Sequence, residues 1–152
     1  MDIVTFLVSL RPDLLDTNDA EGNISPLWVA CQQGRVDVVR YLVGLRPSLL
    51  DVHAEGNTTA LFVACQYGRS DVVEVLLEYR PSLADTFDDD NTTPLWIAAY
   101  GGHLSVVRRV VAARHSQLSV HRAEGGAPLD AARDGGHGDV VTYLQSVMVL
   151  DW

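Results

Sequence analysis

Histidine, cysteine and acidic side chains are the groups through which this 152-residue chain could do chemistry, and it has 5, 2 and 20 of them. A zinc site needs His and Cys at spacings that bring three or four ligands together. His53, His103, His115, His121 and His137 include no pair at such a spacing, and Cys31 and Cys65 are 34 residues apart. Serine, histidine and aspartate all occur, but no serine sits in the Gly-x-Ser-x-Gly turn that exposes a nucleophile. The run Asp88-Asp89-Asp90-Asn91 has carboxylates but lacks the alternating spacing and closing glutamate of a calcium loop. All 11 basic residues are arginine, which excludes a phosphate-loop lysine and a Schiff-base lysine. No catalytic residue, metal or cofactor is assigned, and the chain is not read as an enzyme.

Composition narrows the partners. A formal charge of −9 disfavours nucleic acid and anionic membrane, whose phosphates attract Lys and Arg. Apolar runs are only a few residues long, too short to span a bilayer. The opening Met1-Asp2-Ile3 carries an acid where a signal peptide has basic residues, so the expected compartment is the cytoplasm, or the nucleus. The missing lysine has two readings: codon bias of a GC-rich genome, or avoidance of modification in a protein working near ubiquitin machinery.

The elements that position these residues follow from a period. Gly34, Gly68, Gly102 and Gly136 recur every 34 residues, and the segments around them repeat as well. A fixed period of this size marks a solenoid, in which each unit buries its apolar face only against its neighbours. Each unit reads as a turn and two short helices. Thr93 is a good N-cap, Pro94 suits the first helical position, and Leu95, Ala98 and Ala99 form one apolar face. Gly101-Gly102 then stops the helix. Val106, Val107, Val110 and Val111 form the inner stripe of the second helix, matched by Val38, Val39, Leu42, Val43 and by Val72, Val73, Leu76, Leu77. Asp37, Asp71 and Asp139 share the first turn of the second helix, where a carboxylate favours the helix dipole by about 0.3–1 kcal/mol. Equivalent positions in stacked helices lie roughly 10 Å apart. Cys31 and Cys65 are therefore expected to be reduced core thiols, not a disulfide.

The pattern Thr93-Pro94-Leu95, Ala98-Ala99, Gly102-His103 and Val106-Val107 resembles the ankyrin repeat, and Pro128-Leu129-Asp130-Ala131-Ala132 with Gly136-His137 resembles a terminal copy. The resemblance runs through essentially the whole chain. It implies an all-α solenoid: antiparallel helix pairs with outward hairpin loops, stacked into a curved array whose concave face is lined by hairpins and first helices. One domain over 1–152 is expected, with a partial repeat at 2–22, full repeats at 23–56, 57–90 and 91–124, and a C-terminal repeat at 125–152. Two departures stand out. The histidine that the family usually places after Thr-Pro-Leu is replaced by Trp28, Phe62, Trp96 and Asp130; the indoles could supply part of its hydrogen bonding, but Phe62 cannot. The usual loop is replaced by Arg46-Pro47-Ser48-Leu49-Leu50-Asp51 and Arg80-Pro81-Ser82-Leu83-Ala84-Asp85, with a third copy at Arg11–Asp16, whose leucines should extend the interface between repeats. Residues 2–10 read as a second helix without its first, which suggests a piece of a longer solenoid; Met148–Trp152 is an apolar tail that folds back or marks another edge.

The resemblance places candidate contacts on the surface that varies between repeats. The hairpin tips carry Glu21, Glu55, Asp89, Asp90 and Glu124, a negative rim that reads either as a solvated edge aiding solubility or as a docking rim for a basic segment. Asn23, Asn57 and Asn91 suit left-handed turns there. The first helices add Gln33, Gln66, Tyr67 and Tyr100, with exposed tyrosine beside acids a common hot-spot composition. Trp28, Phe62 and Trp96 form a ladder that either packs beneath the hairpins, the reading preferred here, or presents an exposed binding stripe. The expected function is non-catalytic binding of a protein or peptide partner by a monomer. Two alternatives stand beside it: a substrate-recruiting or regulatory segment of a larger ligase or kinase, and a structural piece that self-associates end to end.

Overall fold

The computed structural model of the protein describes residues 25–119 and 126–149. Eight α-helices fall within them, arranged as four pairs: α1 (Pro26–Gln33) with α2 (Val36–Leu45), α3 (Ala60–Gln66) with α4 (Ser70–Tyr79), α5 (Pro94–Tyr100) with α6 (Leu104–Ala113), and α7 (Pro128–Asp134) with α8 (Gly138–Val149). First helices pack on first helices and second helices on second helices, so the chain builds an all-α solenoid.

Local chemistry sets each boundary. Ser25, Thr59 and Thr93 cap α1, α3 and α5, their hydroxyls accepting from the N–H of Trp28, Phe62 and Trp96 at 3.2 Å. Gly34, Gly68, Gly102 and Gly136 all adopt the left-handed conformation, with φ between 66° and 75°. That turn lets the next residue donate back to the carbonyl of Ala30, Ala64, Ala98 or Ala132, at 2.8–3.0 Å, which ends the helix and starts the return.

The core is one continuous cluster through all four pairs. Leu61, Leu76, Leu95, Val107 and Val110 are completely buried, as are Cys31 and Cys65, which are free thiols. Burial pushes both thiols far above their ordinary range, so they pack as small apolar groups. The last pair differs in side-chain type. Where inner pairs bury Cys31, Cys65 and Ala99, α7 has exposed Arg133, and where they bury Leu77 and Val111, α8 has exposed Gln145. α8 runs on through Met148 and Val149 as helix.

The Arg-Pro-Ser loops form one-turn 3-10 helices, Pro47–Asp51 and Pro81–Asp85, with His115–Ser119 in the same place after α6. Leu49, Leu50, Leu83, Ala84 and Leu118 are buried there, extending the interface as expected. Polar groups join successive loops. Arg80 pairs with Asp51, and Arg114 lies 3.2 Å from Asp85, an ion pair without hydrogen-bond alignment. Asp85 also accepts from Nε2 of buried Gln117 at 3.0 Å. The two aspartates are therefore unequal. Asp51→Ala removes one half-exposed ion pair and should cost about 0.2–1 kcal/mol. Asp85→Ala also strands a buried amide and should cost about 1–3 kcal/mol. Urea denaturation of the two variants checks this order.

Candidate functional site

The hairpins are built by small residues and backbone bonds. Gly56, Asn57 and Asn91 have φ of 71°, 60° and 59°, the left-handed turn expected of glycine and asparagine. Ala54 N–H donates to Thr58 O at 2.9 Å and Asp88 N–H to Thr92 O at 3.1 Å, closing each tip. Asn57 Nδ2 donates to Phe87 O at 2.9 Å and Asp89 N–H to Gly56 O at 3.0 Å, tying one hairpin to the next. His53 Nδ1 hydrogen-bonds the other side of the Asn57 amide.

Within the acidic run, one carboxylate is used by the turn itself. Asp88 turns inward: its Oδ1 accepts from Asp90 N–H at 3.0 Å and Thr92 N–H at 2.7 Å, fixing the turn. Glu55, Asp89 and Asp90 remain exposed at the tips, while Glu21 and Glu124 lie outside the described residues.

On the first helices, Gln33, Gln66, Tyr67 and Tyr100 are all solvent-exposed. α3 and α5 have seven residues each, about 10 Å of helix. The acidic tips precede their N-termini, and the tyrosines stand at their C-termini, so two belts border one helical surface. The aromatic ladder lies between them. Phe62 and Trp96 are buried at 6% and 8% exposure, as expected, whereas Trp28 is half-buried. The Trp28 indole N–H is buried and has no acceptor among the described residues, so it does not replace the missing histidine's bond. Trp96 instead supports Tyr100: the rings stack at 5.3 Å and 10°. An i, i+4 pair on one helix face produces that contact.

Three functions of side chains were missed at the sequence level. Arg69 Nε donates to Gln32 O at 2.8 Å, and His103 Nε2 bonds Gln66 O at 3.0 Å. Both residues follow a left-handed glycine, reach back over the preceding pair and cover Gly34 and Gly68. Their shared column was the available signal, obscured by the different residue types. Asp130, in the histidine column, accepts from Ala127 N–H at 3.0 Å and pairs with Arg133 at 3.2 Å. It caps α7, whose N-cap alanine has no acceptor of its own.

Nothing in this surface gathers reactive groups. No cluster of three or more His, Cys, Asp or Glu able to hold a metal occurs among the described residues. A groove of about 310 Å³ between the first two pairs is open and polar, lined by Gln33, Gly34, Gly68, Arg69 and Asp71 among others. It differs from the enclosed apolar pockets that bind small molecules. No helix among the described residues is long and apolar enough to cross a membrane.

A solenoid of short helix pairs with outward hairpins and a polar, aromatic-bearing face defines a class of repeat protein. The family model for ankyrin repeats (3 copies) matches residues 1–86, more than half of the 152-residue chain. The chain belongs to the ankyrin-repeat family, whose members generally act as protein-protein interaction modules. No curated protein matches it.

Proposed function

We propose that the protein is a non-catalytic module that binds a basic segment of a partner protein on the surface made by its hairpins and first helices. The supporting observation is Tyr100. The residue is 48% exposed, yet its ring rests on the buried Trp96, so it is held ready for contact with little side-chain entropy left to lose. Tyr67, 45% exposed, stands in the preceding pair. The exposed carboxylates of Glu55, Asp89 and Asp90 add a field that draws a cationic segment in. Gln33 and Gln66 supply adaptable hydrogen bonds along the same face.

The test uses a short basic peptide selected by display against the intact chain. Tyr67→Ala with Tyr100→Ala should weaken its binding by about tenfold or more in calorimetry, with little change in thermal unfolding. Raising the salt should weaken the wild type further, as screening removes the acidic contribution. Unchanged affinity in the double variant would remove this face from the account.

A further inference from the structure

The hairpin and first-helix surface changes character at one place. In the column of Gln33 and Tyr67, the last two pairs carry glycine, at Gly101 and Gly135. Packing explains both: a Cβ on Gly101 would stand 2.8 Å from the His103 ring, and one on Gly135 would strike the Tyr100 carbonyl oxygen. Neither glycine raises a side chain beside Tyr100, whose exposed ring is backed by Trp96. Register places Tyr67 on the side of the preceding pair. On the other side is Asp134, which holds the column of Tyr100 in the next pair and whose neighbour Gly135 lies against the Tyr100 backbone.

Asp134 is an unusual choice for folding. It is the last residue of α7, where the helix dipole is negative and a carboxylate is unfavourable. It is exposed, and it has no ion-pair partner among the described residues, whereas Asp51, Asp71, Asp85 and Asp130 each meet an arginine. A stacked aromatic floor beside an unpaired carboxylate matches one side chain in both shape and charge. A guanidinium is planar and weakly hydrated, stacks flat on an aromatic ring, and offers a fork to a carboxylate; a lysine ammonium is compact and strongly hydrated.

We propose that Tyr100 and Asp134 together take an arginine side chain of the partner segment, its guanidinium stacked on the tyrosine ring and paired with the carboxylate. The proposal rests on the reading of this face as a site for a basic segment, and adds the residue type that it selects. The test titrates the ¹⁵N-labelled chain with a decapeptide alternating glycine and arginine and, separately, with its lysine counterpart of equal charge. The expected result is several-fold tighter binding of the arginine peptide, with the largest shifts at the amides of Tyr100, Gly101, Asp134 and Gly135. Asp134→Asn, an exposed change that leaves packing intact, should remove most of the preference for arginine. Tyr100→Phe should keep the preference, and Tyr100→Ala should abolish it. Equal binding of the two peptides, or a preference untouched by Asp134→Asn and Tyr100→Ala, would overturn the arginine site while leaving the basic-segment reading standing. Shifts on no part of this face with either peptide would overturn both.

Discussion

Leu61→Ala should lower the stability of the fold by about 2–5 kcal/mol. Leu61 has no exposure, and its helix α3 is packed between α1 and α5. Removing its branched end leaves a cavity that neither neighbour can close, since each is held by its own second helix. A solenoid adds a further consequence. Its stability is close to a sum of unit and nearest-neighbour terms, so weakening both interfaces of one inner pair uncouples the pairs on either side. Urea unfolding followed by circular dichroism should therefore move to lower midpoint and broaden. A loss below about 1 kcal/mol would contradict the burial of Leu61 between two interfaces.

Gly68→Ala should cost about 2–3 kcal/mol, through two separable effects. The left-handed backbone, with φ of 66°, costs an alanine about 1–2 kcal/mol. The added Cβ would stand 2.6 Å from His103 Nδ1, which displaces the ring from its bond to Gln66 O, worth about 1 kcal/mol. Gly136 isolates the first effect, because it has the same conformation, with φ of 75°, and nothing within 4 Å of a new Cβ. Gly136→Ala should thus be milder by about 1 kcal/mol. His103→Ala should relieve part of the damage in Gly68→Ala, so the pair of changes together should fall short of their sum. Additive losses would show that the ring does not report on the glycine.

These two cases show how far the residues could be read in advance. The glycine column, the serine and threonine caps, the valine stripes and the left-handed asparagines follow from local rules, each acting within one turn of chain. Gly68 was therefore legible as a helix stop, but its role as a seat for His103 was not. That role depends on a residue 35 positions away, brought there by stacking. The ion pair of Arg80 with Asp51 was hidden for the same reason, since it joins successive loops and not neighbours in one loop. The duties of Asp88 and Asp130 were not legible from type alone: both are carboxylates turned to backbone N–H groups of their own turns. At the candidate site, exposure of Gln33, Gln66, Tyr67 and Tyr100 followed from the repeat register. The support that Trp96 gives Tyr100 was present in their i, i+4 spacing but needed the ring geometry to be seen.

Subtracting the residues used for stacking leaves a small set of exposed groups on this face: Tyr67, Tyr100, Glu55, Asp89 and Asp134. The second helices also carry exposed apolar side chains, Leu45 and Tyr79 at 53% and 45%, at the ends of α2 and α4. In the proposed function the partner meets the first-helix face and not these ends. A photo-crosslinking amino acid placed at Gln66, Tyr100 or Tyr79 in otherwise intact protein tests it most directly, in the complex with the selected basic peptide. Covalent adducts are expected from positions 66 and 100, competed away by unlabelled peptide and weakened by salt, and none from position 79. Adducts formed from position 79 alone would contradict the proposed function.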